Sequence, residues 1–340
     1  MRLTALKRQD DAHGDDIWAC KWVEDKTQTT GAPASGGGGG GGGGGLRMLT
    51  GSCDETFNLW GYTDENGLTQ ELTSTGQDLG VVSMDVSPTG EFGATSSLDC
   101  VIRLVRIKTK EVEQIATIEL PAPETWQVAY HPDPSREILG VAAGCVGGLR
   151  LYKSGVLDDG LKREICHIGP KPTTQASAMT TPPFALGCAF DPTGTKCAVS
   201  HSDGHIALYD VESQKHVLTF AGHSKPVRGL SFTADGTFLI SACDDKTCNL
   251  YDTSSKNPIG SLNGHDSSVL CVERSGADGF CVTGSSDGGM KVWDLRNRSC
   301  VQTLSEHKEA VWSLALHEGA GRLASVSDDR SVCVYAVLQQ

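Results

Sequence analysis

From Gly264 to Asp294 the chain reads GHDSSVLCVERSGADGFCVTGSSDGGMKVWD. The segment opens on a Gly-His pair at His265 and closes on Trp293, six positions after Asp287. The same frame stands 42 residues earlier, with His223, Asp245 and Tyr251, and 42 residues later, with His307, Asp329 and Tyr335. Continued toward the N-terminus, the register gives Tyr209 with Asp203, Tyr152 with Val146 in place of the aspartate, Val105 with Asp99, and Trp60 with Asp54. That makes seven units, regular apart from an excess of about 15 residues before Tyr209.

In every unit the positions one and three before the closing residue are apolar, as at Phe57 and Leu59, Ile206 and Leu208, Met290 and Val292, and Val332 and Val334. Period-two alternation predicts a strand with one buried face. Turn signals separate the strands at residues 87–90 (SPTG), 191–194 (DPTG) and 233–236 (TADG). Short strands at this spacing, repeated seven times, predict an all-β ring. The units resemble WD repeats, the four-stranded blades of a β-propeller with a Gly-His start and a Trp-Asp end. The resemblance implies one seven-bladed WD-repeat propeller over residues 1–340. It carries a flexible glycine-rich insertion at about 24–45 in blade 1 and an inter-blade loop at about 169–183. Only five residues follow Tyr335, too few for an outer strand, so residues 1–8 are expected to supply the fourth strand of blade 7.

Composition narrows the function. Lys and Arg number 29 against 42 Asp and Glu, a net charge of −13, which disfavours binding to nucleic acid through bulk electrostatics. No apolar run approaches the roughly 20 residues of a membrane span. The first residues carry no apolar segment of signal-peptide type, so a cytoplasmic and nuclear address is expected. The 13 cysteines include no CxxC pair and read as reduced thiols. Cys248 takes a buried strand position, and Cys20, Cys188 and Cys271 fall in innermost strands.

Histidine, hydroxyl and carboxylate recur together, as in His13, Thr50, Asp54 and Trp60, or His265, Thr283, Asp287 and Trp293. A hydrolytic triad has the same residue types, but it occurs once, whereas Ser or Thr stands four residues before the aspartate at Thr50, Thr95, Ser241, Thr283 and Ser325. Repetition assigns these residues to structure, and the WD-repeat resemblance implies a buried hydrogen-bond network of His13, His223, His265, His307 and the aspartates 54, 99, 203, 245, 287 and 329. No catalytic residue, cofactor, metal site or small-molecule substrate is expected. The Gly36–Gly45 run lacks the Gly-Lys-Ser/Thr that a phosphate loop needs and reads as a flexible insertion. The loop near 169–183, rich in Pro, Thr, Ser and Ala, reads as solvated, the alternative being a partner-contacting flap on the Gly-His face.

One residue after the first apolar position of an innermost strand come Trp18, Trp126, Arg228 and Trp312. They are expected to converge on the channel mouth on the Gly-His face and to bind a partner's short peptide motif, Arg228 offering a charge-assisted hydrogen bond. The segments 12–18 (AHGDDIW), 79–86 (LGVVSMDV), 96–99, 124–126, 223–228 (HSKPVR) and 311–313 resemble the WD-repeat subunits of superkiller complexes, which animals share with the polymerase-associated-factor elongation complex. Departures are the glycine insertion, Val105-Arg106 for Trp-Asp, and Val146. The resemblance implies a non-catalytic scaffold or adapter in exosome-linked RNA decay and transcription elongation, contacting protein subunits with no direct nucleic acid and no membrane. The alternative is a docking subunit of a cytoskeletal assembly such as the ciliary axoneme.

Overall fold

The computed structural model describes residues 1–24, 45–108, 111–155, 163–169, 182–275 and 279–338. The expected insertion at 24–45 lies outside these residues except for its two ends, and so does nearly all of the loop at 169–183. Twenty-eight strands and no helix occur among the described residues, arranged as seven four-stranded antiparallel sheets. The innermost strands are Ile17–Val23, Val81–Val86, Val128–Tyr130, Ala185–Phe190, Val227–Phe232, Val269–Arg274 and Val311–His317. Each touches the innermost strand on either side, and Ile17–Val23 contacts both Val81–Val86 and Val311–His317, so the sheets form a closed seven-bladed propeller around a channel.

The alternation read from the sequence has a different cause from the one expected. In Val332–Leu338, Val332 and Val334 pack on Trp22 and Trp60 of blade 1, while Cys333 and Tyr335 pack on Met290 and Val292 of blade 6. Both faces of the strand are therefore buried, one against each neighbouring blade. Sheets stacked around a ring have no solvent face except at the outermost strands, where single apolar residues such as Val217 and Val301 are exposed.

In each blade the turn between the two middle strands holds a residue in the left-handed region at the same place. These are Glu55, Cys100, Gly147, Gly204, Lys246, Gly288 and Arg330, with φ of 60 to 89°. Six of them follow the repeat aspartate, whose Oδ1 accepts the N–H two residues on at 2.8–3.1 Å. The side chain thus supplies the turn's missing acceptor and holds non-glycine residues in a conformation they otherwise avoid. Blade 3 has Val146 at this place and uses two consecutive left-handed glycines, Gly147 and Gly148.

Arg2–Gln9 pairs antiparallel with Val332–Leu338 and completes blade 7. Met1 and Leu3 are buried in the cluster shared with blade 6. Gln302 of blade 6 clamps the strand from the side, donating from Nε2 to the Leu3 carbonyl at 2.8 Å and accepting the Leu3 N–H at 2.9 Å. Arg8 reaches Asp329 Oδ2 at 3.2 Å and donates to the Glu306 carbonyl. Deleting residues 1–9 removes these contacts and bares the edge of Val332–Leu338, so the melting temperature should fall and aggregation on heating should rise. An unchanged melting curve would show that the ring does not depend on this strand.

Candidate functional site

The recurrent polar residues come together inside the blades. In blade 1 the Trp60 indole donates to Thr50 Oγ1 at 2.8 Å, Thr50 lies 2.8 Å from His13 Nε2, and His13 Nδ1 lies 3.1 Å from Asp54. Blade 6 repeats this with Trp293, Thr283, His265 and Asp287. The indole can only donate, so the threonine oxygen accepts from it; with Nδ1–H given to the aspartate, a neutral imidazole leaves Nε2 to accept the threonine proton. Blade 5 joins His223 to Ser241 at 2.6 Å and to Asp245 at 2.8 Å beside Tyr251. Thr50, Ser241, Thr283 and Ser325 are fully buried, so none presents a nucleophile to a substrate.

Blade 7 runs its relay the other way. Ser325 donates to Tyr335 Oη at 3.3 Å, leaving its oxygen to accept from His307 Nε2 at 2.7 Å, while Asp329 lies 3.2 Å from Nδ1. Burial opposes the charged ring, but the hydrogen bond to Asp329, the neighbouring Cys333 sulfur and the charge of Asp329 together outweigh it and raise His307 to about 9. In blades 5 and 6 burial prevails over Asp245 and Asp287 and pushes His223 and His265 down. Burial works against Asp329 too, yet its hydrogen bonds to His307 and Ser331 hold it far below the usual carboxylate range.

Blades 2, 3 and 4 lack the histidine relay. Gln77 replaces it in blade 2, accepting from Thr95 at 3.1 Å, and Arg103 donates to Ser97 and Asp99, each at 2.8 Å. In blade 3 Arg150 pairs with Glu124 at 2.6 Å. Asp203 of blade 4 corrects the expectation of a buried carboxylate. Its side chain is 42% exposed and, among the described residues, pairs with the exposed His205; Val199 stands where other blades offer a hydroxyl. The arginine substitutes escape a search for repeated histidines, though their place on the third strand of each blade marks them.

Trp18, Trp126, Arg228 and Trp312 all line one channel of about 550 Å³. The orientation of Trp18, Arg228 and Trp312 comes from a β-bulge and not from simple alternation, whereas Trp126 precedes its inner strand, which pairs without a bulge. The pairing register slips across Trp18 between Ile17 and Ala19, and likewise across Arg228 and Trp312. The same slip occurs at Val82, Leu186 and Leu270, which complete the ring with Trp126. A bulge leaves its extra residue unpaired and re-aims it, here into the channel mouth.

The four residues do not form one mixed pocket. Trp18 and Trp312 pack with ring centroids 5.4 Å apart and planes tilted by 40°, whereas Trp126 packs edge-on to Phe184 at 5.9 Å. Arg228 is not free for a ligand carbonyl, since it grips Asp244 with Nε at 3.0 Å and Nη2 at 2.8 Å. Asp328, the matching residue of blade 7, lies beside the Trp18 and Trp312 indoles, yet neither buried indole N–H makes a hydrogen bond of normal geometry. Burial and the nearby carboxylates push Asp16 and Asp328 up. The aromatic pair is therefore bordered by carboxylates whose charge is poorly compensated. Deeper in the channel Lys21 Nζ lies 3.0 Å from Asp85, and enclosure pushes Glu273 up.

Two tests follow from the blade networks. Asp287→Ala strands His265 and the turn N–H groups and should cost roughly 1 to 3 kcal/mol by denaturant unfolding, with Asp203→Ala costing less than about half as much. Equal costs would remove the distinction between buried and exposed aspartates. The second test is pH. With His307 raised to about 9 from 6.5, its contribution is complete below pH 6.5 and fades as pH rises through 9. Asp329 acts in the opposite sense, contributing above about pH 4 and losing its contribution in acid. Amide protection in blade 7 should therefore fall between pH 6.5 and 9 after correction for intrinsic exchange, and His307→Gln should abolish that dependence; a parallel fall in blades 5 and 6 would contradict the assignment.

Comparison with protein-family models matches residues 68–105, 214–252, 256–294 and 298–336 to the WD domain, G-beta repeat. Each match ends at the close of a third strand, in blades 2, 5, 6 and 7. The chain is similar to the WD repeat-containing protein VIP3 of Arabidopsis thaliana, at 36% identity over 68% of this chain and 65% of that protein. It is also similar to the WD repeat-containing protein SL1-17 of Schistosoma mansoni, at 28% identity over 69% of this chain and 65% of that protein. The chain thus spans just under two thirds of the length of each relative. Repeats, ring and relays together make this chain a seven-bladed β-propeller built on WD40 repeats.

Proposed function

We propose that the protein is a non-catalytic adapter that binds short peptide segments of partner subunits at the Gly-His end of its channel. The observation that carries this reading is the Trp18–Trp312 pair, held on two bulges and bordered by Asp16 and Asp328. Two indoles in contact offer an apolar seat, and carboxylates raised by burial favour a basic residue beside it. The hydroxyls that would serve a hydrolase are consumed in the blade relays.

For the partner, we propose the scaffold and helicase subunits of a superkiller-type assembly, with roles in exosome-linked RNA decay or transcription elongation in the cytoplasm and nucleus. Support comes from the segments that carry that resemblance, because 12–18 and 311–313 supply Trp18 and Trp312, and 223–228 supplies Arg228. The net charge of −13 supports contact with protein in preference to direct contact with RNA.

Affinity purification of the tagged chain, with identification of co-purifying proteins, tests both levels. The parent should recover a helicase and a helical-repeat scaffold, and Trp312→Ala should lose them while keeping its melting temperature, since truncation of a binding anchor costs about 2 kcal/mol or more. Equal recovery by the folded variant would place the interface elsewhere. Axonemal proteins in its place would support the cytoskeletal alternative.

A further inference from the structure

Blade 2 breaks the chemistry of the channel rim. Two rim positions recur in every blade, one two residues before the inner strand's first apolar residue and one just before the turn aspartate or its equivalent. At the first, other blades carry proline or polar residues such as Asp15, Ser267 and Glu309, and at the second cysteine, serine or aspartate. Blade 2 carries leucine at both, Leu79 and Leu98.

Neither leucine is part of the core. Leu79 is 62% exposed and Leu98 40%. Leu79 also has φ of 64°, the left-handed region, where a bulky side chain costs about 1 kcal/mol or more. Exposure and strain at one residue give the fold no return, so the position points to recognition. The Leu98 N–H donates to the Gly80 carbonyl at 3.2 Å, which ties together the two loops that carry the leucines at the rim, and Val82, two residues past Gly80, lines the channel. Gly80 is pressed on blade 1, where a Cβ would lie 2.8 Å from the Cys53 Cα. Beyond Cys53 the surface turns acidic. Burial first, then the charges of Asp16, Asp15 and Asp328, push the Cys53 thiol up to about 12. Neither Asp15 nor Asp16 makes an ion pair with a described residue.

We propose that the Leu79–Leu98 shelf seats an apolar side chain of a partner peptide whose nearby residue is basic, the cation lying toward Asp15 and Asp16. The proposal rests on reading this face as the docking face and adds a second station, one blade away from the Trp18–Trp312 pair. The commitment to a basic neighbour comes from charge complementarity, because an acidic flank would meet uncompensated carboxylates.

The test uses the full chain and an array of short Gly/Ser peptides holding one leucine and one arginine at varied spacing, with Leu-only, Arg-only and Leu-Glu peptides as controls. Leu-Arg peptides should be retained above all controls. In solution, anisotropy titration of the best of them should lose about tenfold or more in affinity with Leu79→Gly and with Leu98→Ser, and should weaken as salt rises. Glycine relaxes the left-handed position, so Leu79→Gly should melt at or above the parent temperature and a loss of binding cannot be ascribed to unfolding. Equal retention of Leu-Glu peptides, or equal affinity of both variants, would overturn the proposal. Loss with Trp312→Ala but not with Leu79→Gly would leave the channel mouth as the docking site and remove the shelf. Loss with Leu79→Gly alone would keep the shelf and remove the Trp18–Trp312 reading.

Discussion

The antiparallel pairing of Arg2–Gln9 with Val332–Leu338 is the contact on which the rest of the ring depends. Every blade buries its two faces against neighbours, so a blade lacking its partner exposes both an apolar face and a strand edge. Taking the fourth strand of the last blade from the start of the chain ties the first and last blades covalently and by hydrogen bonds. The tie is reinforced electrostatically, since Asp329 stands between His307 and Arg8 and so joins the internal relay of blade 7 to its closing strand. That relay holds its histidine charged near neutrality, and its aspartate, only 5% exposed, is the most enclosed of those that pair with a histidine.

The relays divide the ring. Blades 5, 6, 7 and 1 form a continuous arc in which histidine, hydroxyl and carboxylate link the loop before each inner strand to the turn between the middle strands. Blades 2, 3 and 4 replace this link with Gln77 and Arg103, with the Arg150–Glu124 pair, or, in blade 4, with the Phe184 N–H donating to Ser202 Oγ at 3.1 Å while Asp203 serves its own turn. The Trp18–Trp312 pair lies on the relay-bearing arc, and the leucine shelf opens the other. A rigid seat next to a less constrained rim suits an extended peptide, which needs one fixed anchor and some tolerance along its length.

The bulges connect fold to function. A propeller's inner strands could line the channel with a plain alternation, but a bulge at the start of nearly every inner strand turns one extra side chain to the mouth. These positions face neither neighbouring blade, so packing leaves their identity open. Trp18, Val82, Leu186, Arg228, Leu270 and Trp312 can therefore differ widely on an unchanged scaffold.

The sequence by itself determined the number of blades, the strand at each closing residue and the place of the turn aspartates, because a repeat forces the same local solution at every copy. It also singled out Trp18, Trp126, Arg228 and Trp312 from their position in the frame. It did not reveal that Asp244 holds Arg228, that Trp126 turns to Phe184, or that Asp203 stands in solvent. Nor did alternation distinguish one buried strand face from two, since Cys333 and Tyr335 gain their burial only from blade 6. These outcomes depend on which side chains meet across a turn or between blades, and such meetings follow from bulge geometry and ring closure. Only the assembled tertiary structure sets them.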